Sequence, residues 1–149
     1  LLEGMDDPEC AWIIGPGTTT RAVMQALGLA NTLLGVDVVR GRQLAGSDVT
    51  EQQLLGLIAD RPARIVVTPI GGQGHLLGRG NQQLSPRVIR QAGERNLRVI
   101  ATKEKVAALG GRPFLVDTGD EELDRQLCGY VRVTTGYRDY VMYRIANPV

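Results

Sequence analysis

Histidine occurs once in these 149 residues, at His75, and cysteine twice, at Cys10 and Cys128. The two cysteines form no metal-spaced pair, so the reduced thiols of a cytoplasmic protein are expected. With one histidine, spacing completes no Ser-His-Asp arrangement. His75 reads either as a general base amid glycines or as an ordinary surface side chain. No apolar run approaches the length of a membrane span and no signal peptide is visible, so no membrane partner is expected. The charge excess is also small: 17 basic against 16 acidic residues leaves +1. That balance removes the electrostatic case for nucleic acid. Lysine is nearly absent, and fifteen of the basic residues are arginines, whose guanidinium forks suit phosphate. The chain opens on Leu1-Leu2-Glu3-Gly4 and not on methionine. A piece of a longer protein is expected, with part of any active site on the other half.

What is present is ordinary for one globular domain: 43% hydrophobic residues and enough length for a real core. Residues 3–10, with four acids and a proline, read as a coiled entry. Strands are expected at Ala11–Ile14, Thr32–Val39, Arg64–Thr68, Arg98–Ala101 and Phe114–Val116. Helices are expected between them. The first spans Thr19–Leu27, with Val23, Met24 and Leu27 on one face and Gly28 closing it. A Thr50/Gln53 capping box opens the second, which runs to Ala59 and ends at Arg61-Pro62. The third starts at Ser85-Pro86 and runs to Ala92. Short helices follow at Lys103–Leu109 and from Asp120 through Glu121–Leu127. Residues 41–48 read as loop. Tyr130–Thr134 and Tyr140–Ile145 alternate, and Gly136 between them permits an antiparallel hairpin. The alternation of strand and helix predicts a three-layer α/β fold, a mostly parallel sheet flanked by helices.

Two glycine-rich segments follow apolar strands. Gly15-Pro16-Gly17-Thr18-Thr19-Thr20 opens the first helix, offering N–H groups, hydroxyls and the positive end of a helix dipole to an anion. It is either a phosphate site or a plain strand–helix turn with threonine caps. It lacks the lysine of a Walker loop and the spacing of a dinucleotide fingerprint. Gly71-Gly72-Gln73-Gly74 begins the second segment, which continues as one long loop to Gln83. There Arg79 is placed to grip a phosphate, and Gly80, Asn81 and Gln82 to approach a ribose or base edge. The alternative is a surface lid without a ligand. Asp37, after Leu34-Gly35-Val36, is a ribose or metal contact or a turn cap. Asp117 and Asp120, flanking Thr118-Gly119, are a Mg²⁺ pair or a helix cap with a turn aspartate. Trp12 reads as core. Tyr137 and Tyr140, with Arg138, line an edge or an interface, or are ordinary surface residues.

Several stretches resemble one family. They are Gly15-Pro16-Gly17-Thr18-Thr19-Thr20-Arg21, Leu34-Gly35-Val36-Asp37-Val38-Val39, Thr68-Pro69-Ile70-Gly71-Gly72-Gln73-Gly74, Gly78-Arg79-Gly80-Asn81-Gln82-Gln83-Leu84-Ser85-Pro86 and Leu115-Val116-Asp117-Thr118-Gly119-Asp120. With Tyr130 to Tyr137 they are similar to the carboxyl-terminal half of ATP-NAD kinase-like proteins, the branch that includes the acetoin-catabolism X protein. The resemblance spans Trp12 to Arg144. It implies an ATP-dependent phosphotransferase, with ATP and Mg²⁺ as cofactors and NAD as a substrate. Asp37, Asp117 or Asp120 would then orient the acceptor hydroxyl or the metal. The family's Gly-Gly-Asp-Gly-Thr motif belongs to the amino-terminal domain and is absent here. The chain alone is therefore expected to be inactive and to need that domain as its partner. The α/β pattern also departs from the β-rich carboxyl-terminal domain of the family's standard NAD kinases. Two other functions use the same segments: a non-catalytic domain sensing a phosphorylated sugar or nucleotide, and an assembly domain, including a homo-oligomer.

Overall fold

The computed structural model describes residues 2–32 and 34–148. Ala11–Ile14 forms β1, four consecutive buried residues. Such runs belong in strands covered on both faces. β1 lies between parallel β4 (Ala63–Val67) and antiparallel β2 (Asp37–Arg40). β3 (Gln43–Gly46) pairs with β2 at one edge of the sheet. Beyond β4 come β6 (Leu97–Ile100), β8 (Gly129–Gly136), β9 (Asp139–Ala146), β7 (Phe114–Val116) and β5 (His75–Leu77). Five of the eight strand pairings among the described residues are parallel. β1, β4, β6 and β8 point one way and β9, β7 and β5 the other. The antiparallel β8–β9 hairpin joins the two blocks.

Alternation along the strands sends side chains to two cores. Ala11, Ile13, Ile65, Val67, Val99 and Val133 face the larger one. It is closed by α2 (Glu51–Leu57), α3 (Pro86–Ala92), α4 (Lys103–Ala108) and α5 (Glu121–Leu127) through Leu54, Val88, Ile89, partly buried Val106 and Leu123, with Leu109 just after α4. Trp12, Ile14, Val66 and Ile100 face the smaller one, under Met24 of α1 (Thr18–Ala26) and Met5. Trp12 is thus core. The uneven covering leaves the hairpin face on the α1 side only partly covered, with Tyr130, Tyr140 and Met142 exposed.

The three-layer architecture and the carboxyl-terminal hairpin match the expected pattern. Four local readings need correction. The coiled entry contains a 3-10 turn at Leu2–Asp6. The expected strand Thr32–Val39 begins only at Asp37 and runs antiparallel to β1; Leu33 lies outside the described residues. The expected loop 41–48 holds β3, reached by a turn with both Gly41 (φ 56°) and Arg42 (φ 60°) at positive φ. That backbone matches strand twist in two-residue hairpins. The long glycine segment is not one loop. Ile70 and His75 exchange both backbone hydrogen bonds (2.8 and 3.1 Å), so Gly71–Gly74 is a tight turn and β5 follows. A second turn begins at Gly78. Glycine composition marked both turns but hid the three buried residues between them.

Candidate functional site

Three places gather the candidate residues. The first is the amino end of α1. The other four helices each begin under a side-chain cap, from Thr50, Ser85, Thr102 and Asp120. α1 begins at Gly17, which has no side chain to offer. Gly17 sits at φ 134°, and a Cβ there would come within 2.5 Å of the Thr68 methyl group. Thr68 is 3% exposed, and its Oγ1 is buried without a hydrogen-bond partner among the described residues. An orphaned hydroxyl therefore lies beside a helix end whose amides lack a side-chain acceptor. Thr18 is exposed, Thr19 is half-buried, and buried Thr20 donates its hydroxyl to the Gly17 carbonyl (3.1 Å). Gly15 differs, because its amide already donates to the Val66 carbonyl (2.9 Å).

The second place is a cleft of about 270 Å³ at the ends of β5 and β7, lined by Gly78, Gln82, Leu84, Ser85 and Asp117–Gly119. Asn81, 1% exposed, builds it: its Nδ2 donates to the Leu76 carbonyl (2.8 Å) and its Oδ1 accepts from the Gly78 amide (3.2 Å). Both ends of that carboxamide hold backbone. Arg79, Gly80 and Gln82 remain exposed around it. Leu84 joins the cleft to the first place, because it also packs at Gly15. By contrast, Gly74 packs against Leu109 and Phe114 at the start of β7. Gly71, Gly72 and Gln73 are exposed at that turn, and the Gly72 carbonyl accepts from Arg112 (3.4 Å). Only the flanks of the second glycine segment, Thr68 and Leu84, come close to the first, and the Gly71–Gly74 turn faces elsewhere.

The three aspartates have distinct surroundings. Asp37 is 2% exposed and sits opposite Ile14, at the end of β1. It accepts from the Thr32 amide (3.0 Å), the Thr32 hydroxyl (2.7 Å) and the Asp48 amide (2.9 Å). Asp37→Ala is expected to destabilise the fold by about 2 kcal/mol in urea unfolding, because three donors lose their acceptor. Asp120 caps α5 through the Leu123 amide (3.0 Å) and pairs with Arg90 (2.9 Å), and these contacts hold its carboxyl below the usual range. Asp117 is exposed and makes no side-chain hydrogen bond or ion pair among the described residues. The neighbouring carboxylate, Asp124, is buried and accepts from the Thr118 amide (3.0 Å) and hydroxyl (2.6 Å). No group of three His, Cys, Asp or Glu that could hold a metal occurs among the described residues.

His75 is buried in β5, not set in an open loop. Burial pushes its pKa below 6.5, Arg79 adds to the shift and Asp117 opposes it. The folded chain therefore resists a proton that the unfolded chain takes up. Stability from this group is complete above pH 6.5 and falls as the pH drops from there through the lowered value. Unfolding measured across that window is expected to show the slope in the parent chain and a weaker one in His75→Gln.

The third place is a groove of about 680 Å³ between α1 and the β8–β9 hairpin. Thr19 and Val23 form one wall, Ile100 and Thr102 the floor, and Arg132, Thr135 and Tyr140 the other wall. Sequence reasoning left Thr68, Asp124 and Arg132 unmarked. For Thr68 the available signal was a polar residue closing a run of β-branched apolar ones.

Residues 8–145 match the ATP-NAD kinase C-terminal domain. The chain belongs to that family. No curated protein and no solved structure matches it. No described helix is long and apolar enough to cross a membrane.

Proposed function

We propose that this chain is the nucleotide-binding half of an NAD-kinase-like phosphotransferase, and that phosphate oxygens are received at the amino end of α1. The observation that carries the reading is the uncapped start of α1 beside the buried, unpartnered Thr68 hydroxyl. The first amides of a helix and its positive dipole end favour an anion. Thr18 and Thr19 add hydroxyl donors, and Gly17 keeps the approach clear of a side chain. The family supports a nucleotide as the anion.

In this reading ATP is the donor and NAD the acceptor, as the family name suggests, and the partner is an amino-terminal domain of the same protein. The branch that includes the acetoin-catabolism X protein remains our assignment within the family. Asp117 is the aspartate with a carboxylate available to orient an acceptor hydroxyl, while Asp37 and Asp120 hold their loops. Gln82 lines that cleft, and Arg79 is exposed in the same turn. Mg²⁺ accompanies most phosphoryl transfer. One free carboxylate does not build a Mg²⁺ site, so no residue of this chain is assigned to the metal.

A second reading, a domain that senses a phosphorylated sugar or nucleotide without turning it over, is favoured by that single free carboxylate. Calorimetric titration with ATP, NAD and sugar phosphates, followed by assay with the amino-terminal domain restored, separates the two. Nucleotide binding with turnover supports the phosphotransferase. Tight binding without turnover supports the sensor. Absence of binding in both states contradicts both.

A further inference from the structure

The groove beside α1 has features that the proposed phosphate site does not use. It runs along one face of α1 from Thr19, at the amino end, to Ala26 at the last turn. At 1.5 Å per residue that face is about 10 Å long. Its volume, about 680 Å³, lies within the range of small-molecule sites. On the hairpin wall the Arg132 guanidinium lies 4.3 Å from the centre of the Tyr140 ring, and Arg138 lies 5.3 Å from that of Tyr137. Neither arginine has an acidic partner among the described residues, whereas Asp139, the acid at this wall, is neutralised by Lys103 (2.7 Å). The groove is therefore net positive and lined by aromatic planes. Thr135 also lines the groove, and its hydroxyl is buried with no hydrogen-bond partner among the described residues.

From this we infer that the groove between α1 and the β8–β9 hairpin holds the aromatic ring of the nucleotide whose phosphates lie at the start of α1. The inference rests on the proposed phosphate site and adds the place and chemistry of the ring. A planar heterocycle stacks on Tyr140 in line with the Arg132 guanidinium. Thr19 belongs to both sites and joins them. Arg138 and Tyr137, at the hairpin tip, close over the ligand's outer side.

ATP and inorganic tripolyphosphate are the two probes, each titrated into the chain by calorimetry. Tyr140→Leu removes the ring while keeping a strand-compatible side chain, and Arg132→Gln removes the charge without altering the turn. Far-UV circular dichroism confirms that each variant is folded. The parent chain is expected to bind ATP about tenfold more tightly than tripolyphosphate, since a stacked base adds a contact that tripolyphosphate lacks. Tyr140→Leu is expected to weaken ATP about tenfold and to leave tripolyphosphate within about twofold. ATP affinity unchanged in both variants overturns the groove assignment and leaves the α1 phosphate site standing. Equal losses for both probes overturn it too, since the groove would then sense charge alone. A parent chain that binds neither probe overturns the phosphate site and the groove together.

Discussion

Replacing Gly78 with alanine is expected to destabilise the fold by about 3 kcal/mol or more, the largest loss among single substitutions at the loops. Gly78 sits at φ 94°, and a Cβ there would overlap the Asp117 carbonyl. Neither strand can yield cheaply. The Asp117 amide donates to the Leu77 carbonyl (3.1 Å), and buried Asn81 holds the Gly78 amide (3.2 Å). Moving Gly78 aside would break the β5–β7 pairing and the floor of the small cleft together. Gly71→Ala is the matched comparison: φ is 74°, also positive, but no atom lies within 4 Å of the added carbon. Only the backbone penalty applies there, about 1 kcal/mol. Urea unfolding of the two variants beside the parent measures the difference. Equal, small losses would show that β5 and β7 do not approach as described.

Thr18→Asp is expected to move stability and ligand affinity in opposite directions. Thr18 is the exposed first residue of α1. A carboxylate in the first turn interacts favourably with the helix dipole, by about 0.5 kcal/mol. The melting temperature is therefore expected to rise slightly. The same charge occupies the place assigned to phosphate. Two like charges about 4 Å apart repel by about 4 kcal/mol at an effective dielectric of 20, and more weakly when solvent screens them. A tenfold or greater loss of ATP affinity follows. A rise in melting temperature with unchanged ATP affinity would place the ligand elsewhere.

The layered architecture was legible because β1 is apolar throughout and β4 ends on three consecutive β-branched residues, and such runs require cover on both faces. The helix starts were legible because Thr50, Ser85 and Asp120 announce their caps, and the structure places each as a cap. β5 was hidden because its pairing with β7 is a tertiary fact: three residues between glycine turns carry no periodicity of their own. β3 was hidden for a related reason. Gln43–Gly46 has no apolar alternation, and an edge strand needs none. At the site, residue type pointed to the start of α1 but could not show that Asp37 and Asn81 are turned toward backbone. Carboxylate and carboxamide groups look equally available in a sequence; only the three donors around Asp37 show what that one does. The groove wall was the least legible part. The expected hairpin put Arg132 and Tyr140 on paired strands, but their stacking and the placing of α1 opposite them are tertiary facts.

The central claim is that the first amides of α1 receive phosphate. Its most direct test is an amide chemical-shift titration of the isotope-labelled chain with inorganic tripolyphosphate. Saturable shifts concentrated at Thr18, Thr19 and Thr20, with Gly71 and Gly72 still, are the result predicted here. Shifts confined to the Gly71–Gly74 turn, or none at α1 up to millimolar tripolyphosphate, would contradict it.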